Sequence, residues 1–272
     1  MAATSGGVGA QLKEWRARRR MSQLDLACEA GISTRHLSFV ETGRAQPSRE
    51  MLLLLAERLA IPLRERNALL VAAGYAPMFP ERSLDDPDLA AARAAIAQIL
   101  KVHDPWPALA VDRHWNMVTA NAAVPPLLAG VAPALLAAPV NVLRLSLHPE
   151  GLAPRILNYH EWRDHILHRL RRQIDQSADA GLAALHDELQ AYPAPVSSRP
   201  RRHAPGIVAP LQLAVDGTAL SFISVTTVFG APLDVTLSEL AMETFFPVDE
   251  TTSNYLQAQA AARERDPQAV EM

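Results

Sequence analysis

The stretch from Ser22 to Arg49 of this 272-residue chain reads SQLDLACEAGISTRHLSFVETGRAQPSR. Ser22 is a typical helix N-cap, and good helix formers follow it. Apolar side chains recur there at helical spacing, at Leu24, Leu26, Ala27 and Ala30. Gly31 allows the positive φ of a sharp turn, and Ser33 caps a second helix whose Leu37 and Val40 can face the first. The sequence therefore predicts a helix-turn-helix.

The second helix of this pair carries side chains able to donate hydrogen bonds to base edges or phosphates, at Ser33, Thr34, Arg35, His36 and Ser38. A basic cluster lies upstream of it, at Lys13, Arg16, Arg18, Arg19 and Arg20. Arg44 and Arg49 lie beyond it. The alternative is an ordinary helical hairpin inside an all-α enzyme, and the basic flanks favour DNA binding.

Residues 9 to 75 resemble the Cro/repressor-type, XRE-like helix-turn-helix family in the motifs SQLDLA, AGIS, VETGR and PS. The resemblance implies DNA contacts for Gln23, Ser33, Thr34, Arg35, Phe39 and Arg44. With His36, Ser38 and Arg49 from the pattern above, these residues form the predicted DNA-binding set. Arg35 is the best candidate for a bidentate guanine contact, whereas Phe39 departs from the polar residue often found there. The resemblance also implies a structural salt bridge between Arg16 and Glu41, with two solvated charges as the alternative.

Charge is divided unevenly along the chain, whose formal net charge is −3. Residues 1–75 carry 11 Lys and Arg against 7 Asp and Glu, and the remainder is acidic. A basic head on an acidic body suits a DNA-binding protein. The single cysteine, Cys28, excludes a disulfide framework, and no apolar run is long enough to predict a membrane span. We expect a cytoplasmic location and a flexible arm at residues 1–8.

Five helices are predicted for the head: one from about Val8 to Arg19, the two above, one after Ser48 and one after Pro62. Residues 76–104 are predicted as a proline-rich linker and a connecting helix from about Asp88 to Val102. That helix either covers its own domain or pairs with a partner chain.

A second domain is predicted at residues 105–256, followed by a flexible tail at 257–272. Strands are expected at Ala108–Asp112 and Asn116–Ala120, with Asn121 capping a helix, which is how a PAS-type sensor fold begins. Helical segments follow, and in the longest Trp162, Ile166 and Leu170 recur every four residues. A proline-rich loop at 194–206 precedes two arms, Ile207–Val215 and Thr218–Phe229, that flank the type I′ turn signal Asp216-Gly217. A last strand at Ala241–Phe246 gives about five antiparallel strands, and thus an α+β chain.

The C-terminal part resembles the MmyB-like ligand-binding domains in PWPALAVDRHWNMVTANAA, NVLRLSLHPEGL, ILNYHEW and VTTVFGAPLDVTLSELAMETFFPVDE. The resemblance implies a PAS-like sensor with an apolar cavity and fatty-acyl chains among its ligands. Candidate lining residues are Trp106, Trp115, Trp162, Ile166 and Phe222, with packed core as the alternative. Candidate polar partners for a ligand head are Asn121, Asn158, His160 and Arg169.

Enzyme motifs are missing from the sequence. His160 and His165 lie five residues apart, not the four of the zinc-protease motif HExxH. His165 and His168 could chelate a metal, but the sequence places no third ligand. No GxSxG, P-loop or GxGxxG is present. We expect no catalysis, no cofactor and no metal.

The sequence thus predicts a homodimeric transcription regulator that binds a palindromic operator and responds to a small apolar ligand. Two alternatives stay open. The second domain could be a dimerisation scaffold only, or the chain could be a protein-binding adaptor with a vestigial head.

Overall fold

The computed structural model describes residues 7–196 and 209–265. Most of the predicted N-terminal arm and of the proline-rich loop, and the predicted strand start at Ile207, lie outside these residues. The chain divides into two compact units. The first comprises Met1–Arg82, Gln173–Ala178 and Pro232–Ser238, and the second comprises the three segments Ser83–Arg172, Asp179–Ala231 and Glu239–Met272.

Five helices form the head of the first unit: α1 (Val8–Arg18), α2 (Gln23–Ala30), α3 (Thr34–Glu41), α4 (Arg49–Arg58) and α5 (Leu63–Ala72). Serine starts three of them, because the hydroxyl oxygens of Ser22, Ser33 and Ser48 each accept a hydrogen bond from the backbone N–H three residues on. Gly31 ends α2 with φ 65°, which confirms the predicted turn.

The head packs around leucines that are almost fully buried, among them Leu12, Leu26, Leu37, Leu52 and Leu69. Leu24, predicted as an apolar helix position, is instead 60% exposed. The buried face of α2 is formed by Leu26, Ala27 and Ala30, and Leu24 lies on the other side of the helix.

Gly9 marks the closest approach of two helices in the head. A Cβ atom at Gly9 would lie 2.2 Å from the carbonyl oxygen of Val40 and 2.8 Å from that of Glu41. The N-terminal turn of α1 therefore lies directly against the backbone at the end of α3, which only glycine permits.

The remaining helices are α6 (Ala90–His103), α7 (Val124–Leu127), α8 (Pro133–Leu136), α9 (Val142–Leu147), α10 (Tyr159–Ser177), α11 (Ala180–Ala191), α12 (Val235–Ser238) and α13 (Glu250–Arg265). Helix α13 covers residues 257–265 of the predicted flexible tail. Among the described residues, no helix is both long and apolar enough to cross a membrane.

The second unit contains one antiparallel sheet, with strands β1 (Ala108–Val111), β2 (Met117–Ala120), β3 (Leu211–Val215), β4 (Thr218–Val228) and β5 (Ala241–Pro247). The strands lie in the order β2-β1-β5-β4-β3. Asp216 and Gly217 have φ of 47° and 77°, which fits the predicted I′ turn between β3 and β4. The sheet confirms the predicted α+β fold with a five-stranded, PAS-like second domain.

Asn121 does not cap a helix as predicted, because α7 begins three residues later with Ala123 as its N-cap. Its amide side chain instead joins backbone segments. Oδ1 accepts from the Ala108 N–H at 3.1 Å, and Nδ2 donates to the Trp106 carbonyl at 2.7 Å. Asn121 therefore fixes the start of β1.

Candidate functional site

The outward side of α3 forms the candidate DNA interface in the first unit. Leu37 and Val40 are fully buried and fix the helix against the head. The opposite side is exposed at Ser33 and Arg35 and half-buried at Thr34, His36 and Ser38. Ser33 uses its hydroxyl oxygen to cap α3 by accepting from the His36 N–H. Its hydroxyl proton can still be donated outward.

Phe39 lies close to two cationic side chains on this surface. The guanidinium carbon of Arg35 is 5.4 Å from the Phe39 ring centroid, and that of Arg44 is 6.0 Å away. Neither arginine forms an ion pair with any described residue, so both charges can meet DNA. Both guanidiniums are within cation–π distance of the ring.

Glu41 anchors α3 to the two helices before it. Its carboxylate accepts from Arg16 Nε at 2.6 Å and Nη2 at 2.8 Å, and from Gln23 Nε2 at 2.7 Å. Burial raises the pKa of the Glu41 carboxyl, but these hydrogen bonds outweigh burial and hold the pKa below its usual value. The predicted pair of Arg16 and Glu41 is thus in contact, and Gln23 belongs to the same network.

The basic cluster upstream of the motif is largely used inside the head. Arg16 binds Glu41, Arg18 pairs with Glu14 at 2.9 Å, and Arg19 donates to the carbonyls of Leu59 and Ala60. The hydrogen bonds from Arg19 satisfy carbonyl groups at the end of α4. Three of the five basic residues of the cluster thus bind other residues, and Arg35, Arg44 and Arg49 remain candidate DNA contacts.

A cavity of about 110 Å³ lies in the second unit between the sheet and the helices. Its wall is overwhelmingly apolar. The sheet contributes Leu109, Leu211, Leu213, Phe222 and Phe245, and the helices and loops contribute, among others, Trp115, Leu127, Leu143, Leu145, Trp162 and Ile166. Trp115 holds an unusual left-handed conformation, with φ 67°, in the turn before β2.

Polar side chains meet at one part of the cavity wall. Glu243 on β5 is opposite Thr226 on β4 and Leu109 on β1. Arg169 on α10 donates to both carboxylate oxygens of Glu243, with Nη1 at 3.0 Å, and to the Thr226 hydroxyl at 2.6 Å. Its guanidinium carbon lies 4.4 Å from the centroid of the Trp115 ring.

His165 and Ser146 are the other two polar side chains that line the cavity. The His165 ring is stacked on Trp162, with centroids 5.4 Å apart and planes at 22°. Ser146 accepts a hydrogen bond from Trp162 Nε1 at 2.9 Å. Burial and the neighbouring Arg169 charge lower the pKa of His165, which favours its neutral imidazole.

Comparison with known protein families decides what the two units are. A model described as MmyB-like transcription regulator ligand binding domain matches residues 92–268. The chain belongs to this family of MmyB-like transcription regulators. A model described as helix-turn-helix matches residues 12–66, so the XRE-type resemblance is confirmed too. No curated protein matches the chain. The protein is therefore a ligand-modulated, DNA-binding transcription regulator.

Five of the nine ligand-site residues predicted for this MmyB-like regulator line the cavity: Trp115, Trp162, Ile166, Arg169 and Phe222. The other four lie elsewhere. Trp106 precedes β1, and Asn121 follows β2 and donates from Nδ2 to the Trp106 carbonyl. Asn158 holds β3 through the Pro210 carbonyl and the Gln212 N–H. The His160 ring contacts Tyr159, with the ring centroids 5.8 Å apart.

Three polar cavity residues of this regulator did not figure in the predicted ligand site: Ser146, His165 and Glu243. Glu243 left a signal in the sequence, since a carboxylate inside the apolar strand Ala241–Pro247 needs a buried cation. His165 lies one residue before Ile166 on the same helix. Ser146 left no comparable signal, because its place depends on how α9 packs.

Proposed function

We propose that this regulator binds a palindromic operator as a homodimer and that a small apolar ligand in the second unit changes its affinity for DNA. The observation that carries the ligand part is the apolar cavity whose wall contains four polar side chains, Ser146, His165, Arg169 and Glu243. Apolar pockets with a few oriented polar groups are the usual form of small-molecule sites. A DNA-binding regulator acts where the DNA is, so we place it in the cytoplasm.

Recognition of the operator would divide between two kinds of contact. Arg35 projects from the first turn of α3 and suits a bidentate contact to guanine in the major groove. Arg44 and Arg49 follow α3 in the chain and suit phosphate contacts, which provide affinity without sequence information. Gln23 would contact DNA from the start of α2 while Glu41 holds its amide.

Dimerisation follows from the small footprint of one recognition helix, which reads only a few base pairs. Two heads one DNA turn apart read a palindrome and multiply the affinity. A ligand acts on such a dimer only if it binds one arrangement more tightly than the other.

Cavity size limits the ligand. The volume of about 110 Å³ is somewhat below the roughly 150 Å³ of an apolar protein cavity that binds benzene. A ligand of about 110 Å³ fits the cavity without any change in the lining side chains. A fatty-acyl chain remains among the candidates, but a long one requires the lining side chains to move.

Two measurements on the purified full-length protein test this proposal. Small molecules released by denaturation are identified by mass spectrometry, and duplexes bound from a random pool are sequenced. We expect an apolar compound at near-stoichiometric amount and a palindromic consensus. No bound compound together with a consensus would favour a scaffold role for the second unit. Absence of a consensus would contradict the regulator.

A further inference from the structure

The charges in the cavity wall compensate one another. Arg169 is the cation and Glu243 the anion, and they face each other through two hydrogen bonds. The Glu243 side chain is only 5% exposed. The guanidinium pairs with this deeply buried carboxylate in fork geometry, which offsets the cost of burying the two groups.

Arg169 is consequently poorly placed to bind a second anion. Its Nη2 donates to Thr226 as well as to Glu243, and Trp115 covers one face of the guanidinium. An entering carboxylate would meet the negative charge of Glu243 at the same place. It would also lose its water in an apolar cavity with no net positive charge to compensate, and that desolvation is strongly unfavourable.

Two further side chains in the cavity wall, those of His165 and Ser146, can form hydrogen bonds with a ligand. Among the described residues, no hydrogen bond involves the His165 ring nitrogens. A neutral imidazole offers one donor and one acceptor. The Ser146 hydroxyl accepts from Trp162, and its own proton has no acceptor among the described residues.

We propose that the cavity selects ligands whose polar head is uncharged, such as an amide, ester or alcohol, and rejects carboxylates. His165 and Ser146 hydrogen-bond the head, and Glu243 excludes anions by occupying Arg169. This inference rests on the proposed ligand-binding role of the cavity and specifies the class of ligand.

Pentanamide and pentanoate provide the test, because they have nearly the same shape and differ in charge. Calorimetric titration of the full-length protein at pH 7.5 compares them. We expect pentanamide to bind at least tenfold more tightly. If pentanoate binds as tightly or more tightly, the inference is wrong and the ligand-binding role stands. If neither compound nor benzene binds, the proposed role of the cavity fails and the inference with it.

Glu243→Gln tests the cause of the selectivity, with Glu264→Gln as the control because Glu264 is an exposed residue of α13. Releasing Arg169 from its anion should raise the affinity for pentanoate at least tenfold relative to the affinity for pentanamide. The control should leave both unchanged. An unaltered preference in folded Glu243→Gln would overturn the role of Glu243.

His165→Phe provides a second test that does not disturb the ion pair. Phenylalanine preserves the ring packed on Trp162 but has no hydrogen-bonding nitrogen. Pentanamide should bind at least fivefold more weakly to this variant, and benzene should bind as it does to the parent. Equal pentanamide affinity in parent and variant would remove His165 from the proposed site.

Discussion

Replacing Arg16 with methionine tests the network that anchors the recognition helix. Methionine keeps much of the length of the side chain but removes the charge and every donor. The Glu41 side chain is 1% exposed and would retain only the hydrogen bond from Gln23. Leaving one member of a buried ion pair without its partner costs about 3–5 kcal/mol of stability. We expect a loss in this range for the head.

The loss should depend on pH in a defined direction. In the parent protein the pKa of Glu41 is below its usual value. Its stabilising contribution is therefore present above the unfolded-state pKa and disappears as the pH falls through the folded-state pKa. In the variant, burial without Arg16 raises the pKa, and protonation relieves the penalty. The difference between parent and variant should thus be largest near pH 7 and shrink towards about pH 4.

Hydrogen exchange of peptides from α1 and α3 in the full-length protein measures this loss, since protection of core amides reports the opening free energy. Arg18→Met is the matched control, because Arg18 lies on the same helix and pairs with the exposed Glu14. That control should lose no more than about 0.5 kcal/mol. If both variants lose the same stability, or Arg16→Met loses less than about 1 kcal/mol, the anchoring argument is refuted.

Three further predictions concern the DNA surface, the helix contact and the cavity. Arg35→Ala should lose roughly 1–3 kcal/mol of specific operator binding and keep its non-specific DNA binding. Arg44→Ala should weaken both kinds of binding and reduce the slope of log K against log salt concentration by about one. Fluorescence-anisotropy titrations at several salt concentrations distinguish the two outcomes. Gly9→Ala should destabilise the head by about 3 kcal/mol or more because its Cβ meets backbone, and Gly7→Ala, with open space around it, should change thermal stability little. Phe222→Trp should fill the cavity and abolish pentanamide binding with little loss of stability; a loss of about 1–3 kcal/mol would instead indicate overpacked core.

The parts of the structure that could be predicted from the sequence are those governed by local signals. The serine caps, the positive φ at Gly31 and the turn at Asp216-Gly217 depend on a few neighbouring residues, and all were predicted. Trp115 and Phe222 could be assigned to the cavity wall because large apolar residues in a PAS-like domain lie near its centre.

The remaining features depend on how distant segments pack. The constraint at Gly9 arises where α1 meets the end of α3, and no periodicity reveals it. Glu243 becomes part of the site through strand register, which brings it beside Thr226 and within reach of Arg169. The basic residues of α1 show the same limit, because Arg19 satisfies carbonyls of Leu59 and Ala60, about 40 residues further along the chain.

Ligand control of DNA binding is the central claim, and the operator affinity with the cavity empty and occupied tests it most directly. The selected operator duplex is titrated with full-length protein at fixed salt, with and without a saturating amount of the tightest-binding cavity probe. The account predicts that the Kd changes by at least fivefold, within the range typical of coupled sites, and that Phe222→Trp shows no such change. An unchanged Kd in the parent protein, with calorimetry showing the cavity to be occupied, would contradict ligand control.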